Sequence, residues 1–304
     1  MKLHSQQQQV IYQTIVAYAQ ASQAAAQIKS SEKAVQAAEQ HWLDAKALRV
    51  RGMVLDSDVM DAHVYLLRSQ VARSEADYVY ANSLGFLRLV MGMDMAQVIL
   101  NLNEPTLTAV DGSIEYLQEK SLNQRSDLIA MQHELEAATS ARKVAYASDL
   151  PRVDLVAGQE WNSETIGLKN RNSMIGLTMT MNIFNGGSDQ ARLRSVESQY
   201  ASLSFQLNDK KQQIKHEIAQ AWRHLNIAEL RFKSEQEALQ QTQESLRIKL
   251  LRYKQGLEKT ADLLSAQVKM DASTVVHIQA KYDVMVAKAA LMLAAGMLDE
   301  GVIQ

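Results

Sequence analysis

From Ile175 to Ile183 a large apolar residue stands at every second position: Ile175, Leu177, Met179, Met181 and Ile183 alternate with Gly176, Thr178, Thr180 and Asn182. A period of two sends successive side chains to opposite faces of a strand. Upstream, Val153, Leu155, Ala157 and Trp161 alternate with Arg152, Asp154, Gly158 and Glu160 in the same sense, with Val156 and Gln159 out of step. Between the two runs, Asn162 to Asn172 is polar and contains Gly167, which predicts a hairpin loop. Each run is about 10 residues, the length that crosses a bilayer at a tilt. The pattern therefore predicts a strand pair with Ile175, Leu177, Met179 and Met181 toward lipid and Gly176, Thr178 and Thr180 toward a wet lumen. Arg152, Asp154 and Glu160 join the polar face, and Trp161 sits at a strand end, where an aromatic girdle lies. A soluble sheet packed on a helix is the competing reading.

The rest of the chain reads as long helix, because its apolar positions follow no period of two and Gly and Pro are sparse. It is also a repeat. Leu48 to Met53 (LRVRGM) is followed by Asp58-Val59-Met60-Asp61-Ala62, and Arg252 to Leu257 (RYKQGL) by Asp262-Leu263-Leu264-Ser265-Ala266. The offset of 204 that joins Gly52 to Gly256 also joins Tyr18 to Trp222 and Gly92 to Gly296. One ungapped register over roughly 80 residues marks two copies of one supersecondary unit. In each copy a helix of roughly 35 to 40 residues runs to the central Gly, turns, and returns, so each arm is a rod of about 50 to 60 Å. Asp56, Asp58 and Asp262, just past the turns, suit the first turn of the returning helices. Gly85 pairs with Ala289 in this register and marks no turn. The organisation expected is a first helical hairpin at 1–100, a connector at 101–113 holding Pro105 and Asp111-Gly112, a helix at 114–149 leading to the membrane, the β-hairpin at 150–187, and a second helical hairpin at 188–304. The fold class is mainly α.

Composition agrees and narrows the partners. Of 304 residues 47% are hydrophobic and 22% charged, with only 2 Pro and 12 Gly, so the chain must pack and can run as uninterrupted helix. A formal net charge of -2 and no sustained basic patch argue against nucleic acid. Zero Cys removes disulfides, thiolate metal sites and cysteine nucleophiles. Met1 to Gln27 has no continuous apolar core, so no leader peptide is visible, and no run of about 18 apolar residues forms a spanning helix.

Several segments together resemble the TolC family of outer-membrane efflux proteins. Leu150-Pro151 enters a strand; Ile183-Phe184-Asn185-Gly186-Gly187 leaves one; Arg192 to Tyr200 (RLRSVESQY) opens a long helix. These are similar to the family's framing of its membrane hairpin at Pro151, Phe184, Gly186 and Gly187. Asn123 to Leu128 (NQRSDL) resembles the family's helix start, with Ser126 in place of a frequent Pro, and the turns at Gly52 and Gly256 resemble its helical tips. Asn182 stands where the family usually has Pro. The resemblance runs in the family's order over nearly the whole chain.

What it implies is a passive exit duct of a tripartite efflux or type I secretion system in the Gram-negative outer membrane, extending into the periplasm. The implied protein is a homotrimer whose β-hairpins share one barrel in outer-membrane lipid and whose helical hairpins form an α-barrel tunnel. The implied partners are a periplasmic adaptor (membrane fusion) protein and an inner-membrane pump of RND or ABC type. The family's entrance constriction maps onto Asp262 and Ser265 in the second copy and Asp58 and Asp61 in the first. Tyr253 matches a residue that ties neighbouring hairpins shut and Asp58 its partner, while Glu258 stands where an Arg is usual. In the repeat register Met1 falls opposite Phe205, so a first β-hairpin, its preceding helix and a leader are expected upstream of this chain. With one β-hairpin each, three copies hold half the family's strands. A non-transporting periplasmic coiled-coil scaffold or a non-functional fragment stays open as an alternative.

Nothing else in the sequence points to chemistry. His4, His41, His63, His133, His216, His224 and His277 form no i, i+4 pair for a metal. Gly186-Gly187 lacks the downstream Lys-Ser/Thr or third Gly of a nucleotide loop, and no nucleophile elbow frames a Ser. The expectation is no enzyme activity, no cofactor and no metal.

Overall fold

A computed structural model describes residues 2–94, 102, 112–161 and 171–299. The predicted strand-to-strand loop, most of the connector and the side chain of Trp161 lie outside the described residues. In chain order the elements are α1 (Lys2–Val50), α2 (Asp56–Val90), α3 (Ile114–Gln124), α4 (Ser126–Ala147), β1 (Arg152–Trp161), β2 (Arg171–Thr180), α5 (Ser188–Lys254) and α6 (Thr260–Ala294). They fold as two units, one of residues 1–126 with 214–304 and one of residues 127–213. No described helix is long and apolar enough to cross a membrane.

Two arms are longer than the repeat spacing suggests. α1 has 49 residues and α5 has 67, or about 70 and 100 Å. Neither contains Gly or Pro, so nothing in the local chemistry stops them before their turns.

The repeat is visible in the backbone. Gly52, Gly92, Gly256 and Gly296 end α1, α2, α5 and α6 with φ of 70, 66, 72 and 68°. The residue after each closes the same bond: Met53 N–H to Leu48 O at 3.0 Å, and Met93 to Arg88, Leu257 to Arg252 and Met297 to Met292, each at 2.9 Å. This caps orphaned carbonyls of the last turn, and the left-handed residue it requires is Gly.

In the first unit α1 lies between α2 and α6 and antiparallel to both. Ala17 and Ala21 pack on Leu87, Ile15 on Ala289, Met292 and Leu298, and Leu48 on Tyr253 and Leu263. Buried Ala at 17, 21, 24, 38 and 45 gives α1 a narrow seam, and small side chains there let the helix axes approach closely.

The single helix expected at 114–149 is instead two, broken at Arg125, whose ψ of 118° is extended. Tertiary contacts decide this. Arg125 is 13% exposed in its side chain; its Nη1 donates to Glu217 Oε2 at 2.6 Å and to Ala294 O at 3.0 Å. It thereby neutralises an acid on α5 and satisfies a terminal carbonyl of α6. Its side chain lies where a Cβ on Gly296 would project, 2.9 Å from Arg125 Cγ, whereas Gly92 faces open space. The two glycines share a backbone conformation, so their Ala variants separate strain from packing. Gly92→Ala is expected to cost about 1 kcal/mol and Gly296→Ala a further 1–3 kcal/mol, roughly the cost of overpacking. Equal shifts in thermal unfolding for the two variants would show that Arg125 simply yields.

In the second unit α4 runs antiparallel to the first part of α5. Lys210 pairs with Asp127 at 3.1 Å, Arg142 lies over Tyr200 at 4.9 Å, and Tyr146 donates to Glu197 at 2.6 Å. Beyond Pro151 the chain enters β1, which pairs antiparallel with β2 from Arg152↔Thr180 to Trp161↔Arg171. The alternation continues to Ile183 but the ladder stops at Thr180, so Met181 and Ile183 lie beyond the strand. Pro151, the next residue on the partner strand, has no N–H to offer.

Candidate functional site

Two places gather the residues that the sequence singles out, one in each unit. The first is the pair of helical tips. Leu48, Tyr253 and Leu263 form one buried cluster, with Val54, Leu246 and Leu250 against it. A Cβ on Gly256 would lie 2.6 Å from Met53 Cε, so the first tip rests on the second through that side chain. Tyr253 is 1% exposed and receives a hydrogen bond from Thr260 Oγ1 at 3.4 Å. Burial pushes its phenol above the ordinary value, Thr260 opposes this, and the Asp58 and Asp44 carboxylates add to the rise. The field of Asp58 thus reaches Tyr253 within one protomer.

The acids at the tips differ in their local duties. Asp58 accepts from Leu55 N–H at 2.8 Å and so caps α2. Asp56 takes two bonds from Arg49, at 2.5 and 2.8 Å, which hold its carboxyl below the usual range. Asp262 lies in the first turn of α6, whose capping residue Lys259 makes no side-chain bond to it. Asp61, Asp262 and Ser265 are exposed. Glu258, read from sequence only as a departure, pairs with Arg252 at 2.9 Å across the second tip, as Asp56 pairs with Arg49 across the first. The matching signal was there, since each turn carries an Arg before its Gly and an acid after it.

The second place is the strand pair. Residues facing each other across an antiparallel ladder share a face. Val153↔Met179, Leu155↔Leu177 and Ala157↔Ile175 therefore form one apolar face, and Arg152↔Thr180, Asp154↔Thr178 and Val156↔Gly176 the other. Arg152 Nε donates to Asp154 at 2.9 Å along that second face. Leu177 is 74% and Ile175 80% exposed, so none of the unit's described residues covers the apolar face. Beyond it, Ile183 and Phe184 are exposed, and Gly186 and Gly187 lead into α5. Asn182 donates to Asp189 at 2.8 Å, and Asn185 Oδ1 accepts from Asp189 N–H at 3.4 Å. A side-chain bond thus anchors the strand exit where the family usually relies on Pro.

Among the described residues no group of three or more His, Asp or Glu could hold a metal.

A family profile described as "Outer membrane efflux protein" matches residues 117–297. The chain is 26% identical over 258 residues to Protein CyaE of Bordetella pertussis, covering 83% of this chain and 54% of that protein. It is 24% identical over 174 residues to the outer membrane efflux protein BepC of Brucella suis, covering 56% of this chain and 38% of that one. The chain thus spans about half the length of the first relative and less of the second. Its fold matches the crystal structure of the outer membrane protein VceC of Vibrio cholerae with a TM-score of 0.80, over 95% of this chain and 70% of that one, at 21% identity.

Proposed function

This chain belongs to the outer membrane efflux protein family, and on that premise we propose that it is one protomer's share of a trimeric exit duct in the Gram-negative outer membrane, extending into the periplasm. The carrying observation is the uncovered apolar face of β1 and β2. A soluble protein seldom exposes Val153, Leu155, Ile175, Leu177 and Met179 side by side. Two strands alone leave unpaired edges that lipid cannot satisfy, so the hairpin must join others in a closed barrel. A second uncovered seam runs along α2 through Met60, Val64, Leu67 and Val71, at alternating spacings of four and three. That is the spacing of a helix facing another helix, and the proposed occupant is the next protomer. The tips then gather at the periplasmic entrance, where a periplasmic adaptor and an inner-membrane pump of RND or ABC type supply substrate and energy. The duct itself performs no chemistry and takes no cofactor. It serves tripartite efflux or type I secretion, with Asp58, Asp61, Asp262 and Ser265 lining its constriction.

The strand register makes this testable one residue at a time. In outer-membrane vesicles carrying the full-length protein, a water-soluble maleimide is expected to label Thr178→Cys and to leave Leu177→Cys unlabelled. Equal labelling of the two sites would place both faces in water and overturn the barrel.

A further inference from the structure

One face of the β1–β2 ladder is apolar, and the other holds a single cation among its described residues. That second face runs from Arg152↔Thr180 through Asp154↔Thr178, Val156↔Gly176 and Gly158↔Met174 to Glu160↔Asn172. Arg152 stands on the first rung, next to Pro151, at the end of the strand pair that continues into α4 and α5. Its Nε donates to Asp154 Oδ1 at 2.9 Å, with 79% of the Arg152 side chain and 36% of the Asp154 side chain exposed. A guanidinium carries five N–H groups in a planar fork, so this bond orients the plane and leaves four donors over. None of the four meets a partner among the described residues.

The pair is neutral seen from afar, yet an anion in contact with the Nη groups lies nearer to the cation than to the carboxylate. The other acid of the face, Glu160, is eight residues further along β1, about 26 Å at 3.3 Å per residue. At physiological salt a charge in water is screened within about 8 Å, so Glu160 does not oppose binding at Arg152. Between the two, Val156, Gly158, Gly176 and Met174 offer an anion no N–H or O–H from a side chain, and a Cβ on either Gly would meet nothing within 4 Å. Anionic groups on this wall therefore have one cationic place to stop, with the Thr178 and Thr180 hydroxyls across the ladder from it.

We propose that Arg152, oriented by Asp154, is a binding site for anionic groups, carboxylate or phosphate, on the wet wall of the barrel. The site rests on the duct reading given above and adds to it a residue that meets the solute. In the trimer three guanidinium groups ring the inner end of the barrel. A solute carrying both signs of charge meets acids at the tips and this ring later. Asp154 is the positioning residue. Asp154→Asn keeps an oxygen for Nε while removing the opposing charge, and so strengthens the site; Arg152→Gln removes it.

The test is block of single-channel current by tripolyphosphate, with the full-length protein purified from outer membranes and placed in planar bilayers. Added on the barrel side, tripolyphosphate is expected to block the unsubstituted protein. Added on the tip side it is expected to block far less, because the acids there repel it. Arg152→Gln is expected to raise the half-blocking concentration about tenfold or more, the scale of a hydrogen bond between charged groups, and Asp154→Asn to lower it. A pair that serves stability alone shifts the melting temperature and leaves the block where it was. No block, equal block from the two sides, or a half-blocking concentration that either variant leaves unchanged or both shift in one direction overturns the site and leaves the duct standing. Should Arg152→Gln fail to assemble, Asp154→Asn decides alone, and a half-blocking concentration that stays or rises overturns the site. Absence of any current from the unsubstituted protein overturns the duct, and the site with it.

Discussion

Leu177→Arg is expected to abolish assembly of the full-length protein in the outer membrane, and Thr178→Arg to leave it intact. Leu177 pairs with Leu155 near the middle of the ladder, on the face that no described residue of its unit covers. A guanidinium at the midplane of a lipid-facing barrel wall costs about 2–4 kcal/mol, and a trimer carries that cost three times. Thr178 is one residue away but pairs with Asp154. An Arg there lies in the lumen beside a carboxylate, so both its hydration and its charge are accommodated. Trimer yield in outer-membrane fractions separates the two variants. Similar losses for both would mean that the faces differ in composition but not in surroundings.

A second large effect is expected at the entrance. Asp58→Asn with Asp262→Asn should strongly reduce the preference for cations over anions and weaken block by multivalent cations. In the proposed trimer each of these acids becomes a ring of three, and such a ring concentrates cations on the axis. The structure tells apart the structural duties of the two acids. Asp58 caps α2 through Leu55 N–H, so its amide variant is expected to cost up to about 1 kcal/mol of stability. Asp262 lies in the first turn of α6, in the field of the helix terminus, and Asp262→Asn is expected to cost about 0.3–1 kcal/mol. Reversal potentials in salt gradients measure the selectivity, and thermal unfolding of the same preparations measures the caps. Unchanged reversal potentials with a lowered melting temperature would leave the acids a capping role alone.

Where the sequence carried a period or a spacing, it was legible. The alternation from Ile175 placed the strand pair and its two faces, because a register slip of one would exchange them. The offset between Gly52 and Gly256 located both turns, because few residues besides Gly tolerate the backbone they need. The ladder's end at Thr180 was set by the partner strand rather than by β2's own alternation. The break at Arg125 had no local cause beyond a motif, since Ile114 to Ser148 reads as good helix; it exists because Glu217 and Ala294, far along the chain, hold the guanidinium. His41 was one of seven scattered His, and only the fold brings it to Gln267. The Arg252–Glu258 pair has its signal in the turn itself, where Arg252 stands before Gly256 and Glu258 after it, as Arg49 and Asp56 flank Gly52.

The bond from Gln8 Nε2 to Gly296 O, at 3.0 Å, joins residues 288 apart. α1, synthesised early, rests on α6, synthesised late, through Ile15 with Ala289 and Met292. The first unit is therefore closed by the last long helix of the chain. Until α6 has been delivered, Ile15 lacks Ala289 and Met292, and Leu48 has only the α5 side of its cluster; local helix formation cannot supply the rest. The positions of α1 that face α6 are in the meantime uncovered, open to wrong pairings with other nascent chains. Biogenesis thus has an interval of vulnerability set by topology rather than by stability.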